Sequence, residues 1–232
     1  MGGFAYCIYL TTYSSIFIHA PKTVISAGGV TLKLMMAEFE IKLWFGLAAA
    51  VVAIANYLPY LIGVIRKTLH PHAFSWIIFT VITATISVAQ LSEGAGPGAW
   101  ATGATSLTTF FIAVLALRNG GYRVTRTDQL SLFGALIAIP AWILTADALV
   151  AVIVLTGIEI LGFIPTYRKA FKFPHEESIL ALSLTILKYA LALAAMQVYS
   201  LTTVLFPVAI ITLSALLIVE IWWRRRKVSR VV

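Results

Sequence analysis

Asn56–Trp76 reads NYLPYLIGVIRKTLHPHAFSW, and a near-copy, Glu159–Ile179, reads EILGFIPTYRKAFKFPHEESI. In each stretch a proline (Pro59, Pro165) closes an apolar segment and a basic pair follows (Arg66-Lys67, Arg168-Lys169). A Pro-His-x-x-Ser motif, Pro71–Ser75 or Pro174–Ser178, then opens the next apolar segment. The Pro-His motifs superpose without a gap, while the two prolines need a shift of three residues. A plan used twice predicts two structural units, the first property to look for in any chain.

Working outward, the composition sets the class. The 232 residues are 60% hydrophobic and 11% charged, with a mean hydropathy of +0.95; a soluble domain carries roughly 25% charged residues. The charges are clustered, and the apolar runs between them are long enough to cross a hydrocarbon core of about 30 Å as helices. Only helices and closed barrels satisfy every backbone group in lipid, and barrel strands would alternate over short segments. The expectation is an all-α membrane protein in contact with the lipid bilayer. The net charge of +8 does not point to nucleic acid, because no segment is polar enough to form a basic soluble face. Arg224-Arg225-Arg226-Lys227 instead follows Trp222-Trp223 directly, the pattern of a helix end held at the cytoplasmic interface. The single cysteine, Cys7, allows no intrachain disulfide.

Seven spans are predicted, at 41–65, 75–91, 100–117, 130–146, 148–167, 178–199 and 201–223. Gly94-Ala95-Gly96-Pro97-Gly98 and Asn119-Gly120-Gly121 are strong breaks. The joint at Thr145-Ala146-Asp147 is short enough to make its two helices antiparallel neighbours. Residues 1–40 read as a floppy extension, with Met35 or Met36 as an alternative beginning and an extra span at Phe4–Ala20 as the other reading. Basic residues fill every second loop and the tail, so the positive-inside rule places the C-terminus in the cytoplasm, the N-terminus outside and the chain in the cell's inner (plasma) membrane. A three-helix unit reverses the chain's direction, so a single extra crossing between two such units keeps them parallel. The predicted domains are 41–118 and 147–227, joined by a loop and linker helix at 119–146 and followed by a tail at 228–232, a 3+1+3 arrangement with an axis along the membrane normal.

Two such bundles, each with a proline closing its first helix and a basic loop behind it, resemble the PQ-loop and SWEET superfamily over Ile41 to Lys227. TLHPHAFSW and AQLSEGAGPGAW are similar to a bacterial branch of integral membrane proteins within it. The resemblance implies bending prolines around a central path for sugars, amino acids or other small solutes. The name-giving Pro-Gln is replaced by Pro59-Tyr60 and Pro165-Thr166, and the second helix of each unit lacks proline. The third helices also lack the asparagine that the sugar carriers use.

Among the residues themselves, Glu159 and Lys188 lie inside otherwise apolar segments, each about 13–15 Å from the basic end of its helix at 1.5 Å per residue. A central charge costs about 2.5–3.5 kcal/mol on insertion scales, so each is expected to face the interior and find a partner. They read either as path-lining groups, titrating during proton-coupled movement, or as an architectural ion pair. Asn56 aligns with Glu159 and reads as a polar centre or as a helix–helix hydrogen bond. Gln90 and Gln197 are candidates for an entrance near the outer ends of their helices, and Pro59 and Pro165 for helix bends. His70, His72 and His175 lack zinc-site spacing and read as helix-start loops, with Ser75 and Ser178 as N-caps. Trp76, Trp100, Trp222 and Trp223 read as interface anchors. No catalytic motif, metal site or cofactor motif is present in the sequence, so an enzyme is not expected. The functional expectation is a transporter of a small polar solute, with proton coupling and a homo-oligomer left open. The rival is a scaffold or receptor of the same fold, with a dry interior and Glu159 tied to Lys188.

Overall fold

The computed structural model describes residues 22–69, 71–119 and 126–227. The chain divides into two compact units, Met1–Ile41 and Lys42–Val232. Of the first unit the helical residues 22–41 are described. Residues 22–41 open a helix that continues past them, and the run 32–42, LKLMMAEFEIK, is rich in good helix formers. The reading of Phe4–Ala20 falls outside the described residues.

All regular structure among the described residues is helical: α1 (Lys22–Ile65), α2 (Ala73–Ser92), α3 (Trp100–Asn119), α4 (Arg126–Thr145), α5 (Ala148–Lys172), α6 (Ile179–Ala195) and α7 (Leu201–Lys227), with a 3-10 turn at Gly96–Ala99. Five stretches are long and apolar enough to cross a membrane: Met36–Ile65 within α1, α2, the 3-10 turn with α3, α5 and α7. The other two are shorter. Leu132–Thr145 is the apolar part of α4, whose first turn is polar, and α6 stops at Ala195 instead of continuing to 199. Large apolar side chains remain uncovered on the outside, Leu144 at 85% and Ile143 at 72% exposed. Lipid would cover such faces, whereas water would not tolerate them in this number.

The connections follow local chemistry. Asp147 caps α5, its carboxylate accepting from Leu149 N at 2.9 Å, and Ser178 Oγ caps α6 by accepting from Ala181 N at 3.2 Å. The matching Ser75 does not cap α2. That helix starts at Ala73 with His72 at the cap position, and Ser75 Oγ meets His72 Nδ1 at 3.2 Å from inside the first turn. Gly94 and Gly96 adopt φ of +77° and +58°, a region that disfavours any side chain, and so turn the chain from α2 into α3.

Helices α4 and α5 pack as antiparallel neighbours, α2 packs on α3, α4 and α5, and α7 packs on both α5 and α6. Fully buried alanines at 135, 138 and 151 sit in the core with Leu155, Ile82 and Ile86. Small residues there let helix backbones approach closely, which is how helices gain contact where lipid offers no hydrophobic incentive. Helix α1 meets α2 through Tyr57 and Tyr60 against Trp76, and meets the end of α3 through Asn119 Nδ2, which donates to Val64 O at 3.4 Å.

The two ends of the bundle differ. At one end lie the basic turns, where Arg225 donates to Pro174 O and Glu177 O and Arg224 donates to Phe171 O. At the other, the α2–α3 connection is pressed onto the α6–α7 connection, with Gln197 N donating to Ala95 O at 3.1 Å. A Cβ on Gly98 would come within 2.9 Å of Ala192 O and of Met196 Cα, so this seam depends on the missing side chain.

Candidate functional site

A cavity of about 120 Å³ lies among six helices. Tyr57 of α1, Trp76, Phe79 and Thr83 of α2, and Thr105 and Thr109 of α3 form one side. Glu159 and Phe163 of α5, Leu182, Thr185, Lys188 and Tyr189 of α6, and Phe206, Ile210 and Ser214 of α7 form the other. Helix α4 contributes no lining residue among those described.

Lys188 is 1% exposed, and its side chain is held at three points. Nζ donates to Thr105 Oγ1 at 2.8 Å and lies 4.9 Å and 4.7 Å from the ring centres of Tyr57 and Tyr189. Cation–π attraction of this kind strengthens when the partners are desolvated. Thr105 in turn donates to Ala101 O at 2.8 Å, so its oxygen is free to accept from the ammonium. A buried ammonium still has three N–H donors to place, and one hydroxyl takes one of them.

Glu159 enters the same cavity from the neighbouring helix, and its buried Oε2 has no hydrogen-bond partner. Lys188 spends its bond on Thr105 of α3 and not on the carboxylate, so the two residues read in the sequence either as path-lining groups or as an ion pair share the cavity without bonding to each other. Ser214 Oγ, also on the cavity wall, is likewise buried and unpartnered. Asn56 stands behind the wall. Its Nδ2 donates to Thr185 Oγ1 at 2.9 Å, a bond between α1 and α6, while Oδ1 is buried without a partner.

Gln90 is not at an entrance. It is 0% exposed, and Nε2 donates to Thr203 O at 2.9 Å. The reason lies four residues further along α7: Pro207 has no N–H to bond that carbonyl. The glutamine of α2 thus supplies the donor that the proline withholds. Gln90→Leu is expected to cost about 1–3 kcal/mol, because it strands a buried carbonyl. Denaturation of the purified protein in detergent measures this, and an unchanged midpoint would contradict it.

Gln197 is exposed in the α6–α7 connection, where its side chain rests on Gly96. Pro59 and Pro165 sit inside α1 and α5, away from the cavity lining. His72 joins the start of α2, His175 is exposed, and His70 lies outside the described residues. Among the described residues no group of His, Cys, Asp or Glu is arranged to hold a metal ion.

Sequence reasoning missed Trp76, Thr105, Thr185 and Ser214. Trp76, read in the sequence as an interface anchor, packs against Tyr57, Tyr60 and Phe79 and walls the cavity. Its spacing from Phe79 and Thr83, on one face of α2, is the signal that could have found it. No protein-family model matches the chain, and neither the curated proteins nor the solved structures contain a match.

Proposed function

We propose that this chain is a membrane transporter on the PQ-loop and SWEET plan, moving a small polar solute by alternating access of two three-helix bundles. The observation that carries the reading is the cavity. Among the described residues it is lined by α1–α3 and α5–α7 but not by α4, as expected where a linker helix stands beside two bundles that share a path. Its wall places a cation and an acid without a direct bond between them. A scaffold of the same fold would instead fill its interior and pair those charges. Rocking of one bundle against the other would break the seam at Ala95 and Gln197 while opening the cavity away from the basic end. On this reading the basic turns face the cytoplasm.

Uptake by the purified chain in proteoliposomes tests the proposal. Solute entry is expected with the parent protein and is expected to fall by about a hundredfold in Lys188→Met and Glu159→Gln, since each removes a buried charged contact to the solute. Uptake unaltered in both variants removes these residues from the path, and absence of uptake across a solute panel removes the transport reading.

A further inference from the structure

The two polar walls of the cavity define what it can take. Lys188 offers a buried positive charge whose partners are one hydroxyl and two aromatic rings, and among the described residues no carboxylate bonds it. Two of the ammonium's three N–H donors remain to be placed in this buried site, and a carboxylate is the acceptor that takes them best. Glu159 Oε2 offers the opposite need, since an ionised carboxylate only accepts and nothing donates to this oxygen, while the unpartnered Ser214 hydroxyl can serve either role.

Size narrows the choice further. An apolar cavity of about 150 Å³ holds benzene, so the cavity of about 120 Å³ suits a molecule of roughly six heavy atoms by the same scale. A hexose is too large for this space and offers the Lys188 ammonium no charged acceptor. A plain short-chain carboxylate satisfies Lys188 and leaves Glu159 stranded.

We infer that the solute is a small carboxylate anion bearing a hydrogen-bond donor near its carboxyl group, the carboxylate seated on Lys188 and the donor on Glu159. The donor is a hydroxyl or an ammonium. The inference rests on the transport reading for its biological meaning, but it concerns binding and is testable without uptake.

Titration calorimetry on the full chain in lipid nanodiscs, with glycine, L-lactate, acetate and glycerol as probes, provides the test. Glycine or L-lactate is expected to bind, and whichever binds better identifies the donor as ammonium or hydroxyl. Acetate is expected to bind about tenfold more weakly, for want of one hydrogen bond to a charged group. Glycerol is expected to give no signal. Lys188→Met is expected to abolish carboxylate binding, and Glu159→Gln to weaken the better ligand by about tenfold. If Lys188→Met does not fold, Thr105→Asp reads the same contact by giving Lys188 a counter-ion of its own. Glycerol binding as well as the carboxylates, carboxylate binding that survives these changes at Lys188 or Thr105, or no binding by either glycine or L-lactate would overturn the assignment. Binding without uptake would remove the transport reading and keep this one; uptake of a neutral solute with no carboxylate binding would do the reverse.

Discussion

Thr105→Asp is expected to silence solute binding and uptake while the protein still folds. The Thr105 hydroxyl lies 2.8 Å from Lys188 Nζ, and aspartate is close to threonine in size, so the new carboxylate falls within ion-pair distance. At an effective dielectric of 20, opposite charges about 4 Å apart attract by about 4 kcal/mol. Against this stand the lost bond from Thr105 to Ala101 O, worth about 1 kcal/mol, and a desolvation cost of several kcal/mol for the buried carboxylate, so the gain and the cost roughly offset. A tethered carboxylate would also outcompete a free one for the ammonium, lowering solute affinity by about 100-fold or more. Thermal unfolding in detergent and the uptake assay read the two halves separately. A variant that transports normally would show that solute never reaches Lys188.

The second large effect is structural. Gly98→Ala is expected to destabilise the protein by about 1–3 kcal/mol, the usual cost of overpacking. Its Cβ would approach Met196 Cγ at 2.4 Å, which a flexible side chain could relieve. It would also approach Ala192 O and Met196 Cα at 2.9 Å, which are backbone and move only if α6 moves. Gly157 is the control: nothing lies within 4 Å of a Cβ there, and the site is helical. Gly157→Ala should therefore be neutral or stabilising by up to about 1 kcal/mol, the helix preference of alanine over glycine. Equal midpoints for the two variants in a denaturant series would show that the α3–α6 seam is loose.

These two tests also mark where sequence reading stops. Helix positions were legible because apolar runs and glycine-rich breaks are local, and Glu159 and Lys188 stood out because charges in hydrocarbon are rare. Asn56 was placed near the centre by the repeat. Thr105 and Thr185 were not legible: hydroxyls are common in membrane helices, and only tertiary contact gives one of them an ammonium and the other an amide. The two Pro-His-x-x-Ser motifs show the same limit within a single turn. Ser178 caps its helix, whereas Ser75 is taken inside by a helix that begins earlier and bonds to His72. Identical spacing does not decide which residue a backbone turns on.

The bond from Gln90 to Thr203 has a mechanical meaning. A proline normally makes its helix a place to flex, because a rung of the ladder is absent. Here a side chain from across the divide between the two proposed bundles occupies that rung, so the weak point of α7 is propped from α2. Movement of one bundle against the other has to release that prop, and its release frees α7 to bend at Pro207.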